Sequence, residues 1–248
     1  MFTGPIRNEH FQRVLYYAKR IRFLHYYWDV DDTYFLRDLM ISTFMRMDRL
    51  GAFVPLRRIH LHYLRNTVPF PLTSPNLDKI EICIMEPLPE LTEVEVGSFL
   101  QSVAFQSPRL RSLCIMGPLR GTTLQVLPDF INLRCLTMHF QNSDIPTHFL
   151  KQFASSMPSL QHLNIHIADC RFTPPNDEQP YSVSRSFFPS LETLKVAVEF
   201  THLGSLIGVL DAPLLKSIGL SVAQSTPDGS QSPLSNDQNY HRSPPQLR

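Results

Sequence analysis

The chain has 248 residues, 43% of them hydrophobic, and 23 basic against 22 acidic side chains leave a net charge of +1. That balance argues against a duplex nucleic-acid binder working by broad phosphate neutralisation, and the length suits one large domain, two small ones or a repeat array. No apolar run approaches the roughly 18–20 residues of a membrane helix, and the N-terminal MFTGPIRNEHFQR has no apolar signal core. Cys83, Cys114, Cys135 and Cys170 form no C-x-x-C pair, so reduced thiols in a cytoplasmic or nuclear chain are expected.

In chain order, residues 1–19 read as a helical lead-in and cap. A phrase of the form L-x-x-L-x-L then begins to recur, first weakly as RIRFLHY (20–26). Residues 34–50 follow with Leu36, Leu39, Met40, Phe44, Met47 and Leu50 on one helical face. The phrase returns as PLRRIHL (55–61) and PNLDKIEI (75–82), and a helix over 94–105 buries Val96, Phe99, Leu100 and Val103. PRLRSLCI (108–115) and NLRCLTM (132–138) come next, then a helix over 147–157 carrying Phe149, Leu150, Phe153 and Met157. PSLQHLNI (158–165) and PSLETLKV (189–196) precede a helix over 201–210 with Leu203, Leu206, Ile207 and Leu210, and LLKSIGL (214–220) closes the series.

The first apolar positions, Ile21, Leu56, Leu77, Leu110, Leu133, Leu160, Leu191 and Leu215, lie 35, 21, 33, 23, 27, 31 and 24 residues apart. Leucine-rich repeats run about 20–29 residues, so three intervals are long. Each phrase ends in strand alternation, and the intervening segments have helical period. One strand–helix unit cannot cover its own apolar face, whereas stacked units bury a continuous core. The fold class expected is therefore α/β: a leucine-rich-repeat solenoid (horseshoe) with a parallel sheet on the concave face and helices on the convex face. About eight irregular repeats are expected over 20–223. Consensus repeats place Asn or Cys three residues after the last strand leucine. Met85, Pro118, Gln141 and Ala168 stand there instead, so no asparagine ladder is expected.

The phrases Ser107–Ile115, Met157–Ile165 and Phe188–Val196, with the lead-in FQRVLYYAKRIRFLHY (11–26), make the chain resemble the leucine-rich-repeat region of fungal F-box proteins over roughly residues 8–222. The resemblance implies a substrate-recognition repeat domain that holds a protein target for ubiquitin ligation. No F-box precedes the repeats in this sequence, and Leu88-Pro89-Glu90 only imitates an F-box opening between two repeat strands. A ubiquitin-ligase adaptor is thus expected as a partner only if an F-box lies upstream. The alternative is a truncated or non-functional paralogue with no ligase link.

Residues 224–248 change character: Ser, Pro, Gln, Asn and Asp fill 17 of these 25 positions. Such a segment buries too little apolar surface to offset its ordering entropy, and a disordered polar tail is expected. It follows the last phrase with no polar capping helix, so the natural array is expected to continue further. A monodisperse, cooperatively melting 1–223 fragment would count against that continuation.

Enzyme signatures are scarce. Gly117-Pro-Leu-Arg-Gly121-Thr-Thr lacks the lysine and spacing of a phosphate loop and reads as a turn. Asp29-Val-Asp-Asp32 is acidic enough to suggest a metal loop but reads as a solvated turn before a helix. A non-enzymatic protein-interaction module, without cofactor, nucleic-acid or membrane partner, is the expectation.

The third, fifth and seventh positions of each phrase face away from the core because strand side chains alternate. With His25, six of the ten histidines fall on that face. The residues expected to bind the unknown protein target are Arg58, His60, His62, Glu81, Cys83, Met116, Thr137, His139, Asn164, His166 and Lys195. His139 with His166, and Cys135 with His162, are expected neighbours at the ~4.8 Å strand spacing. No metal site is expected: His162 and His166 stand roughly 13 Å apart along a strand, too far for a tetrahedral ion. If the face docks a partner, its histidines predict affinity that changes between about pH 5.5 and 7.5.

Overall fold

The computed structural model describes residues 8–27, 51, 53–63, 73–84, 90–117, 121–141, 144–146, 153, 155–168, 171–173, 188–199 and 212–223. The fold is α/β around one eight-stranded parallel sheet. Its strands follow chain order: β1 (Phe23–Tyr27), β2 (Arg58–Tyr63), β3 (Lys79–Ile84), β4 (Ser112–Met116), β5 (Cys135–Gln141), β7 (His162–Ala168), β9 (Thr193–Glu199) and β10 (Ser217–Ala223). Two short strands, β6 (Asp144–Pro146) and β8 (Arg171–Thr173), form a separate parallel pair. Each leucine phrase is one strand of the large sheet.

Parallel neighbours cannot be joined by a hairpin and need a crossover. The described helices are α1 (Asn8–Ala18) ahead of β1, α2 (Glu90–Gln106) between β3 and β4, and α3 (Gly121–Gln125) with a 3-10 turn (Leu127–Asp129) between β4 and β5. In α2 the expected stripe is buried: Val96, Leu100 and Val103 are fully enclosed and Phe99 is 5% exposed. On its solvent side, Ser98 and Ser102 donate to the carbonyls of Val94 and Ser98, four residues back. The helix stops at Pro108, which has no N–H to continue it. The helices read over 34–50 and 201–210, and the tail 224–248, lie outside the described residues. Of 147–157, Phe153 and Ser155–Met157 are described, and Phe153 and Met157 are fully buried.

The repeat is written into the hydrogen bonds as well as the leucines. At all eight phrases the first apolar residue donates its N–H to the carbonyl three residues earlier, from Ile21 to Ala18 through Leu215 to Ala212. From β2 onward, the last residue before the strand and the strand's first residue share one carbonyl of the previous repeat, as Arg111 and Ser112 do with Asp78. Side chains add rungs just before the first leucine. Asn76 Nδ2 donates to Val54 O at 2.9 Å, Asn132 Nδ2 to Pro108 O at 3.2 Å and Ser190 Oγ to Pro158 O at 2.6 Å. These rungs occupy a different position from the consensus asparagine ladder.

The strands contribute two rows of aligned side chains to the core. One runs Ile59, Ile80, Leu113, Leu136, Leu163, Leu194, and the next Leu61, Ile82, Ile115, Met138, Ile165, Val196. None of these is more than 2% exposed, and each such burial stabilises by about 1.5–3 kcal/mol. At the N-terminal end, Phe11, Leu15 and Ala18 of α1 join the same core. At the other end Ile218 and Leu220 of β10 remain 53% and 48% exposed. Among the described residues no helix is long and apolar enough to cross a membrane.

Candidate functional site

Because the strands pair in register, the residues facing away from the core form rows running across the sheet. The middle row is His25, His60, Glu81, Cys114, Thr137, Asn164, Lys195. The next row includes His62, Cys83, Met116, His139, His166 and Ala197. Arg58 opens β2 one row earlier, between Phe23 and Lys79. All eleven residues expected to bind a partner therefore share one face, and the expected pairs His139–His166 and Cys135–His162 are in register.

The face is less open than a solvated sheet. Arg58 and Lys195 are exposed, whereas His60, His62, Glu81, Met116, Thr137, His139, Asn164 and His166 are partly buried. Cys83 departs furthest from the expectation, at 7% exposed. It is flanked in its row by His62 and Met116, and the His60 ring brings Nε2 to 3.7 Å from its sulfur.

The densest chemistry lies at the N-terminal end of this face. His25 and His60 stack with ring centroids 4.6 Å apart and planes at 11°. His62 lies 4.4 Å from His60 and 5.2 Å from His25. Glu81 reaches His60 Nδ1 at 3.5 Å with one oxygen and Lys79 Nζ at 2.6 Å with the other. Burial lowers the pKa of His60, with Glu81 opposing and His25 and Lys79 adding to the effect. Burial also lowers that of His62, reinforced by His60 and His25. Burial and the Glu81 charge push the Cys83 thiol up to about 11. Cys114 is raised to about 12 by burial, then by Glu81 and Cys83.

A second histidine pair, His139 and His166, sits further along, with centroids 5.2 Å apart at 68°. Shallow grooves of about 450 and 510 Å³ lie elsewhere, along the edge where strands begin, lined by Arg57, Arg109, Arg111 and Arg134 among others. They take in none of the residues expected to bind.

Strand alternation puts His25 on this face although it is not among the residues expected to bind, and the metal candidates the sequence offers are the Asp29–Asp32 turn and the distant His162 and His166 rather than this trio. The H-x-H of β2 was the available signal for the trio, since two histidines two apart on a strand share a face. No protein-family model matches the chain, and no curated protein matches it.

Proposed function

We propose that the chain is a non-enzymatic protein-interaction module, a leucine-rich-repeat horseshoe whose sheet face holds a protein target. The resemblance to fungal F-box proteins supports a role in selecting that target for ubiquitin ligation. One observation carries the reading. Eight in-register strands turn a contiguous surface of imidazole, amide, carboxylate and ammonium groups away from the core. Solenoids use extended faces of this kind to bind partners, and mixed polar groups at fixed spacing give specificity through complementary charge and hydrogen bonding.

Affinity capture with the wild-type chain and with the triple variant Glu81→Lys/His139→Ala/Lys195→Glu tests this, after circular dichroism shows that both fold. A protein bound by wild type, lost by the variant and rebound when purified supports the reading. Capture unaffected by the variant contradicts it. Co-purification of a ligase adaptor with a form of the protein that carries an F-box tests the ubiquitin role separately.

A further inference from the structure

We propose that His25, His60 and His62 bind a divalent transition-metal ion, zinc foremost, with the Cys83 thiolate closing the tetrahedron. The ligand nitrogens of the three histidines already lie within 4.8 Å of one another, and Cys83 Sγ, beside His60 but outside that set, has to swing toward them. Around zinc, with Zn–N of about 2.0–2.1 Å, tetrahedral nitrogens sit about 3.4 Å apart. Each pair therefore closes by at most about 1.5 Å, within reach of side-chain rotation on a fixed backbone. His60 and His62 share a face as alternate residues of β2, and His25 enters from β1 in register with His60.

The surroundings of His60 favour an ion over simple ring stacking. Its Nε2 is 3.7 Å from Cys83 Sγ. A zinc-bound nitrogen and a zinc-bound sulfur are separated by about 3.6 Å. Its other nitrogen, Nδ1, faces the Glu81 carboxylate at 3.5 Å. A carboxylate behind a ligating imidazole is the usual outer partner that fixes the ring. Stacked imidazoles alone would need neither the thiol on one nitrogen nor the acid on the other. The Lys79 ammonium is already engaged by the second Glu81 oxygen. By contrast, the His139–His166 pair has Met116 and Ala197 as its row neighbours and no third imidazole in register.

On binding, the hydrated ion sheds waters to three imidazole lone pairs and to the Cys83 sulfur, whose proton passes to solvent. The ion then clips three successive strands, β1, β2 and β3, at the N-terminal end of the sheet. Imidazole and thiolate together suit zinc rather than calcium or magnesium.

The test uses the full chain without a histidine tag, stripped by chelator and titrated with Zn²⁺ by calorimetry and with Co²⁺ as a visible-spectrum probe. One ion per chain is expected, with the intense cobalt bands of a tetrahedral site, a thiolate-to-cobalt charge-transfer band, and a higher melting temperature. His25→Asn, His60→Asn and His62→Asn each weaken binding by at least about 100-fold, and Glu81→Gln by about 10-fold. His139→Asn leaves binding unchanged. The exposed His25 makes His25→Asn the variant least prone to misfolding, and circular dichroism checks each variant. Absence of stoichiometric zinc binding, or binding that survives all three histidine variants, overturns the proposal. A cobalt complex without the charge-transfer band overturns the closure by Cys83.

Discussion

His139 on β5 and His166 on β7 stand side by side in register, their rings 5.2 Å apart and nearly perpendicular. Burial lowers the His139 pKa below its ordinary 6.5, and the neighbouring His166 lowers it further. The neighbour on the β4 side, Met116, carries no charge. The unfolded chain therefore binds a proton at higher pH than the native one. Stability from this residue is full above pH 6.5 and is lost as pH falls below that value, until the native imidazole also protonates. His60 and His62 are shifted in the same direction. Calorimetric melting temperatures are expected to drop between about pH 7.5 and 5.5, and His139→Gln to flatten that decline. Parallel curves for the two proteins would contradict this.

The thiols give a second expectation. Cys83 and Cys114, at about 11 and about 12, hold little thiolate near neutrality, and the thiolate is the nucleophile. In metal-free protein at pH 8, both are expected to react with a disulfide reagent at least ~100-fold more slowly than in denaturant. Peptide mapping after timed labelling measures each site separately.

Gly117 follows β4 with φ +123° and donates its N–H to His139 O at 3.2 Å. A Cβ there would stand 2.1 Å from the Ile84 carbonyl oxygen. The clash is with backbone, so no side-chain rotation relieves it. Gly117→Ala is expected to cost at least about 2 kcal/mol in urea unfolding, and a smaller loss would mean that this turn relaxes.

Position in the array decides the cost of core truncation. Leu136 is 1% exposed, between aligned leucines on β4 and β7. Leu136→Ala is expected to cost about 2–5 kcal/mol. Leu220 occupies the same kind of inward position on β10 yet is 48% exposed, and Leu220→Ala is expected to cost about 1 kcal/mol. Chemical unfolding of the two variants compares them directly.

The strands were legible because each carries two alternating apolar residues behind a leading leucine, or isoleucine at Ile21. That pattern survived changes of spacing between repeats, so the outward rows were legible too. The connections were not. Between β4 and β5 the sequence shows only a turn at Gly117–Gly121, and the short helix Gly121–Gln125 and 3-10 turn Leu127–Asp129 are too brief to show a period. The three-residue strands of the β6–β8 pair carry no alternation for the same reason. The histidine trio was half legible. The H-x-H of β2 is local, but its meeting with His25 depends on pairing across 35 residues, which no spacing reveals. Cys83 lies in an outward row yet is 7% exposed, flanked by His62 and Met116 from the adjoining strands, which its own strand's alternation does not show.

The central claim is that successive leucine phrases are adjacent rungs with their odd positions on one shared face. Cys135, a free thiol on β5, pairs in register with His162 on β7, and the strand spacing of about 4.8 Å lies within disulfide reach. Mild oxidation of the His162→Cys variant, followed by peptide mapping, is expected to give an intramolecular disulfide between positions 135 and 162. Leu163→Cys, one residue on and facing the core, is expected to give none. A bond in the second variant, or in neither, would contradict the register on which the whole face depends.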